Sequence, residues 1–377
     1  MSDNSLVKIQ AVGQSIWLDF IQRGMLVSGE LAQLIEKDGL RGVTSNPAIF
    51  EKAMVDSKDY ITAISSLASE GKRSEEIYET LAIEDVQQAA DAFRTVFDKL
   101  EGRDGFVSLE VSPYLARDTD RTIQEARRLW TALDRPNVFI KVPATKEGLP
   151  AIRQLISEGI NVNVTLLFGL ERYRTVAEAY IAGLEDRVAA GRPVDRVASV
   201  ASFFLSRIDL LVDPTLENAM KKGGVEAETA SSLHGEVAIA SAKIAYQIYK
   251  EIRSSQRFRI LADKGARPQR VLWASTSTKN PAYSDIKYVE ALIGPETINT
   301  VPLETLDAYR DHGAPAARLE EDLERARQVL ARLPALGIDL QKVTNQLEDE
   351  GIEKFSKPFG RLLQVLDRLR KEAPSSS

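Results

Sequence analysis

Eight short runs rich in β-branched and aromatic residues punctuate the chain, each closing on a polar or turn residue. They are "SIWLDF" (15–20), "RGVTSNP" (41–47), "GFVSLEVSP" (105–113), "NVFIKVP" (137–143), "INVNVTLLF" (160–168), "VASVASFF" (197–204), "RVLWAST" (270–276) and "TINTVP" (297–302). Near-continuous apolar runs of this length are what strands buried on both faces require. Between them the apolar residues return at helical spacing. In "DTDRTIQEARRLWTALD" (118–134), Ile123, Ala126, Leu129, Trp130 and Leu133 share one face. Further helices are expected over 28–38, 75–100, 148–159, 169–191, 236–255 and 284–294. Segment 213–232, "DPTLENAMKKGGVEAETASS", carries turn signals and reads as a break between helices.

Strand–helix alternation fits two α/β folds, the open doubly wound sheet and the closed (β/α)8 TIM barrel. No G-x-G-x-x-G follows the first strand, and eight strands are the number that closes a barrel. The expectation is therefore one TIM-barrel domain over 1–377, with a helical insert at about 51–100 and extra C-terminal helices at about 316–373. The terminal "PSSS" is expected to fray.

A barrel of this kind presents its chemistry at the carboxyl ends of the strands. Those ends offer Asp19, Asn46, Glu110, Lys141, Asn163 with Thr165, Ser202 and Ser275. Lys141 follows Val138, Phe139 and Ile140 and precedes Val142 and Pro143, so alternation points it into the barrel. Burial disfavours an ammonium ion and frees the amine to attack a carbonyl, which suggests Schiff-base formation. An isolated lysine at such a position more often snorkels to water or pairs with a carboxylate. Glu110 in "SLEVSP" and Asp19 in "WLDF" shift that balance, because carbinolamine and hydroxyl chemistry needs placed acids and bases. Each acid alone would equally serve as an ion-pair partner.

Ser45 or Asn46 reads as a helix cap ahead of Pro47, a role compatible with an amide at the barrel mouth that meets a ligand. Asn161, Asn163 and Thr165 alternate onto one face of a strand that would otherwise be apolar, a stripe suited to ligand or water. Ser202 and Arg207 stand where backbone amides and a guanidinium could hold phosphate, unless Arg207 simply pairs with Asp209 or Glu217. Ser275, Lys279 and Asn280 follow the seventh strand, where barrel phosphate sites gather; Lys279 could also be an ordinary loop lysine.

Composition narrows the function classes. At 44% hydrophobic and 28% charged residues the chain has ample material for a core, and a net charge of −6 argues against a nucleic-acid or anionic-membrane surface. With no cysteine, disulfides, thiolate metal sites and cysteine nucleophiles are excluded. His234 and His312 lack ligand spacing and read as surface or helix-end residues. The opening "MSDNSLVKIQAVGQ" lacks a secretory pattern and no run is long enough to span a bilayer, so a cytoplasmic address is expected. A homo-oligomer is allowed, since any exterior helix could carry an interface.

"GVTSNPAIF" together with "IKVPATKEGLPAIRQLISEGINVNVTLLF" resembles the two signature regions of the transaldolases, and "SLEVSP" and "VASFFLSRID" fall where that family has its third and sixth strands. The length resembles the long bacterial type. The resemblance implies a class I aldolase of the non-oxidative pentose phosphate pathway. It would move a dihydroxyacetone unit from sedoheptulose 7-phosphate or fructose 6-phosphate to an aldose phosphate. It implies Lys141 as Schiff-base lysine, Glu110 as acid/base through a water, Asp19 as the group exchanging the C4-hydroxyl proton, and Thr165 as holder of that water. Asn46, Asn163 and Ser202 match hydroxyl contacts and Arg207 a phosphate ligand; neither metal nor dissociable cofactor is implied. One departure stands out. Where many members carry a second phosphate-binding arginine after strand seven, this chain has Lys279, a point charge in place of a bidentate fork. The alternatives are a lysine aldolase that cleaves fructose 6-phosphate and releases free dihydroxyacetone, and a silent sugar-phosphate-binding barrel.

Overall fold

The computed structural model describes residues 4–372; the expected frayed "PSSS" lies outside them. Eight parallel strands close into a barrel in chain order. They are β1 (Gln14–Leu18), β2 (Gly42–Val43), β3 (Phe106–Glu110), β4 (Val138–Pro143), β5 (Val162–Leu167), β6 (Ser199–Phe204), β7 (Arg270–Ala274) and β8 (Thr297–Val301). Closure runs through the pairing of β1 with β8, from Gln14↔Thr297 to Leu18↔Val301. Each of the eight predicted runs coincides with one of these strands, β1 beginning one residue ahead of its run, so the TIM-barrel expectation holds.

Strand β2 is short and runs close past bulk. A Cβ on Gly42 would lie 2.6 Å from the Trp17 ring and 2.7 Å from the Phe106 carbonyl oxygen, so only glycine fits. The barrel interior is layered. At the amino-terminal end, Asp104 accepts hydrogen bonds from Ser15 and from Trp17 Nε1 (2.7 Å) and pairs with Arg270 at 3.3 Å. Above this polar seal Trp17, Phe106 and Phe139 pack together, the two phenylalanines with ring centroids 4.3 Å apart. At the carboxyl-terminal end the inward side chains turn polar, which leaves the layer of barrel interior nearest solvent without an apolar filling.

Helices cover the outside. The expected helix over 75–100 divides at Phe93 into Ser74–Ala92 and Arg94–Lys99. The one expected over 284–294 shrinks to Lys287–Glu290, because Ser284 and Asp285 remain in the preceding loop and Gly294 and Pro295 follow closely. The break within 213–232 is a turn between Ser206–Met220, which accommodates Pro214, and Gly224–Leu233. The helical insert between β2 and β3 is present, beginning with Pro47–Asp56, and so are the C-terminal helices. The last helix, Leu340–Glu372, lies across the carboxyl-terminal mouth of the barrel. It is fastened by ion pairs Arg172–Glu348 (3.2 Å) and Arg361–Glu51 (2.9 Å), and by Gly351, where a Cβ would come 2.9 Å from Leu166.

Candidate active site at the carboxyl ends of the strands

Lys141 projects from β4 into the barrel and is 4% exposed. Its Nζ donates to the Ser45 carbonyl oxygen (2.9 Å) and stands 3.3 Å from Glu110 Oε2. Parallel register produces that contact, since Glu110 and Lys141 are partners across β3 and β4 and their side chains emerge on the same face. Burial pushes the Glu110 carboxyl up to about 6, against the opposing pull of the Lys141 ammonium. A buried acid poised near neutrality can both donate and accept a proton under ordinary conditions.

Asp19 leaves the end of β1. Its backbone N–H continues the barrel ladder to Val301 O (2.8 Å), and its carboxylate accepts from Thr44 Oγ1 (2.7 Å). Thr44 Oγ1 also lies 2.7 Å from Thr300 Oγ1, so a hydroxyl pair orients the acid. Desolvation raises the Asp19 carboxyl from its ordinary value, while Lys141 and then Thr44 act in the opposite direction.

The amides and hydroxyls of the stripe are held in a chain. Ser202 Oγ donates to Asn163 Oδ1 (2.7 Å), and Asn163 Nδ2 donates to Ser108 Oγ (3.1 Å). Asn161 separates from this group: it ties Val138 O (3.2 Å) to the backbone N–H of Ala198 (2.8 Å) at the other end of β5, a structural role. Apart from the Lys141 contact, both Glu110 oxygens and Thr165 Oγ1 are buried without a protein hydrogen-bond partner among the described residues. Buried polar atoms of this kind are normally satisfied, and the two Glu110 oxygens beside Lys141 mark a place where a small polar species would be held.

Asn46 does cap a helix, its Oδ1 accepting from the N–H groups of Ala48 and Ile49 (3.0 Å each), which leaves its amide nitrogen to face the cavity. That cavity, about 410 Å³, is lined by Asp19, Asn46, Lys141, Ser202, Arg207, Ser275 and Lys279. Ser275 adopts a positive φ of 54° and its hydroxyl lies 2.9 Å from that of Ser206. Arg207 opens the helix after β6, with its guanidinium over the rings of Phe204 (5.6 Å) and Phe355 (6.0 Å). Neither carboxylate suggested as its partner engages it: Asp209 accepts from Ala238 N (2.7 Å) and Tyr288 Oη (2.8 Å), and Glu217 meets His234 (3.2 Å). Its Nη1 is buried without a partner among the described residues. Lys279 is exposed at the rim and donates to Ser277 Oγ (2.6 Å).

Several lining residues escaped the sequence reading. Thr44, Thr276 and Thr300 form the hydroxyl floor around Asp19, and Lys52, Lys354 and Phe355 arrive from helices rather than strand ends. Alternation along "GVTSNP" could have revealed Thr44, whereas nothing local announces Lys354 or Phe355, which come from the distant C-terminal helix. With Arg207 and Lys279, the two lysines make a rim of four cations above Asp19, Lys141 and the hydroxyls. His234 caps one helix and His312 ends another, as expected. Among the described residues no group of three or more histidine, cysteine or acidic side chains could hold a metal ion. Among the described residues no helix is long and apolar enough to cross a membrane.

The chain matches the Transaldolase/Fructose-6-phosphate aldolase family over residues 16–366. It is 49% identical to a transaldolase of Trichodesmium erythraeum over 379 residues, covering 99% of this chain and 100% of that relative. A protein of Nostoc punctiforme named transaldolase 2 is 47% identical over 381 residues, covering 99% and 100%. A transaldolase of Saccharopolyspora erythraea is 46% identical over 366 residues, 97% of each chain. A barrel with a buried lysine–glutamate pair beneath a cationic rim, and sequence likeness that runs from end to end, together place this chain in the transaldolase/fructose-6-phosphate aldolase family.

Proposed function

We propose that the protein is a transaldolase whose Schiff base forms on Lys141. It transfers a dihydroxyacetone unit from sedoheptulose 7-phosphate or fructose 6-phosphate to glyceraldehyde 3-phosphate or erythrose 4-phosphate. The observation that carries the residue assignment is the buried contact of 3.3 Å between Glu110 and Lys141, the lysine lining the cavity rimmed by cations and the glutamate bordering a neighbouring cavity.

The Lys141 amine adds to the ketose C2 carbonyl, giving a carbinolamine. Its hydroxyl leaves as water with a proton supplied from Glu110, and an iminium remains. Asp19 then takes the proton of the C4 hydroxyl, the C3–C4 bond breaks, and its electron pair moves into the iminium to give an enamine. The shortened aldose phosphate departs. When the acceptor aldehyde enters, the enamine carbon attacks it and Asp19 returns the proton to the new alkoxide. Water, activated by the Glu110 carboxylate, hydrolyses the iminium and restores Lys141. The enamine survives the interval only if water is kept from protonating it, and the helix over the barrel mouth is suited to that task. Asn46, Ser202 and Ser275 face the sugar hydroxyls, Ser202 backed by Asn163, with the phosphate on Arg207 and Lys279.

Borohydride reduction in the presence of fructose 6-phosphate should trap a three-carbon adduct on Lys141, seen by peptide mass, and Lys141→Ala should lose both adduct and turnover while keeping its fold. Absence of an adduct on the native protein would overturn the assignment. Measuring free dihydroxyacetone alongside erythrose 4-phosphate-dependent transfer separates the two activities of the family. Transfer should dominate, and release without transfer would identify an aldolase instead.

A further inference from the structure

Lys279 lies in an irregular loop of more than ten residues between β7 and the short helix Lys287–Glu290, yet a cation that meets a phosphate must be held in place. The loop is exposed at Lys279 and underlain by a cavity of about 180 Å³ lined in part by Asp209, Asp213, Tyr283 and Tyr288. Packing from below therefore does little to fix it. Polar tethers do. At its base Ser206 N donates to Ser275 O (3.0 Å). At its far end Tyr283 Oη donates to Asp213 Oδ2 (2.7 Å) and lies 3.1 Å from His234 Nδ1.

Asp213 is 5% exposed and is itself fixed by the Gly235 N–H (2.9 Å). It stands on the helix Ser206–Met220, the same helix that presents Arg207. The Lys287 ammonium covers the Tyr283 ring at 3.6 Å from its centroid. Gly235, at φ 72°, makes the close approach feasible, since a Cβ there would fall 2.6 Å from Tyr283 Oη and 2.7 Å from Lys287 Nζ. Both candidate phosphate cations are thus referred to one rigid element, Arg207 directly and Lys279 through Tyr283 and Asp213.

We infer that Tyr283 is a positioning residue for phosphate recognition, holding the Lys279 loop to the Arg207 helix through its hydrogen bond to Asp213. The inference rests on the assignment of Lys279 to the substrate phosphate. It explains how a lysine on an otherwise loosely supported loop can stand in for a guanidinium: what the ammonium lacks in directional hydrogen bonding is offset by fixing its stem.

Tyr283→Phe removes one hydroxyl and keeps the ring beneath Lys287. KM for glyceraldehyde 3-phosphate should rise about five- to tenfold, the loss expected for one ordinary hydrogen bond, with kcat little changed. KM for unphosphorylated glyceraldehyde should stay as it was. In a Lys279→Met background the same change should add nothing further, because the residue acts through Lys279. Gly235→Ala, which pushes the loop away by bulk, should reproduce the selective rise. Equal effects on both aldehydes, or full additivity with Lys279→Met, would overturn the inference. Borohydride trapping in Tyr283→Phe keeps the outcomes distinct: a normal adduct with no selective change refutes the loop tether alone, whereas loss of the adduct in the native protein refutes the Schiff-base reading.

Discussion

Lys141 Nζ and Glu110 Oε2 meet at 3.3 Å because their residues are register partners on neighbouring parallel strands, and both side chains are almost wholly buried. The pair is therefore set by the barrel's hydrogen-bond ladder rather than by flexible side-chain searching. Two charges so placed cost desolvation that a mere stabilising bridge seldom recovers, which favours a chemical role.

With the Glu110 carboxyl pushed up to about 6, the acid is mainly ionised above that pH and mainly protonated below it. Hydrolysis of the iminium needs the ionised form to activate water, so kcat/KM should fall as pH drops through about 6. Glu110→Gln should lower turnover by roughly 10²–10⁴-fold, the usual range for a general acid/base, and should remove this acidic limb. A pH–rate profile whose limb persists in Glu110→Gln would assign it to another group.

Asp19 depends on Thr44 as well as on Lys141. The Thr44 hydroxyl donates to the carboxylate at 2.7 Å and so favours the charged form needed to take the C4-hydroxyl proton. Thr44→Val removes that support with almost no change of shape, so the pH at which C3–C4 cleavage becomes efficient should move upward. Asp19→Asn should go further, stopping cleavage while still allowing a borohydride adduct. If Asp19→Asn turns over normally, the proton at C4 is taken elsewhere.

The parts of the site legible in the sequence are those governed by strand periodicity. Lys141, Glu110, Asn163 and Ser202 sit on strands whose alternation fixes the face each side chain takes, and all four turn into the barrel. Alternation failed for Asn161, which precedes β5 and bridges backbone groups at the opposite end. It is also interrupted near the end of β5, where the register shifts between Val164 and Leu167 and Leu166 takes a φ of 55°. Residues delivered by tertiary packing were invisible. Lys354 and Phe355 reach the cavity only because a helix more than two hundred residues after Lys141 crosses the barrel mouth, and no local pattern encodes that path. The Tyr283 tether was hidden for the same reason, its partners lying on separate helices.

Thr165 offers a case in which activity and stability should move in opposite directions. Its hydroxyl is buried with no protein partner among the described residues, a state that costs about 1–3 kcal/mol. Thr165→Val keeps the shape and removes the unsatisfied group, so the folded state should be equally stable or gain about 1 kcal/mol. If that hydroxyl holds the water lost and regained at C2, kcat should fall by roughly 10- to 100-fold. Chemical denaturation together with turnover tests both halves, and a variant that loses stability while keeping full activity would make Thr165 a packing residue only.

Phe355 connects the C-terminal helix to phosphate recognition. It is 4% exposed, and its ring lies 6.0 Å from the Arg207 guanidinium, which also lies 5.6 Å from the Phe204 ring. An arginine packed over two rings loses little freedom when a phosphate arrives, and each ring contributes about 0.5–2 kcal/mol to keeping it there. Phe355→Ala removes one face and leaves a cavity, so it should destabilise the fold by about 3–5 kcal/mol and raise KM for phosphorylated substrates severalfold. The two effects separate in Phe355→Leu, which fills most of the space without a ring. That variant should recover most of the stability but keep a raised KM for phosphorylated substrates, leaving unphosphorylated ones unaffected. Were Phe355→Leu to restore both properties, the helix would serve Arg207 by packing alone, and the ring stack would carry no recognition.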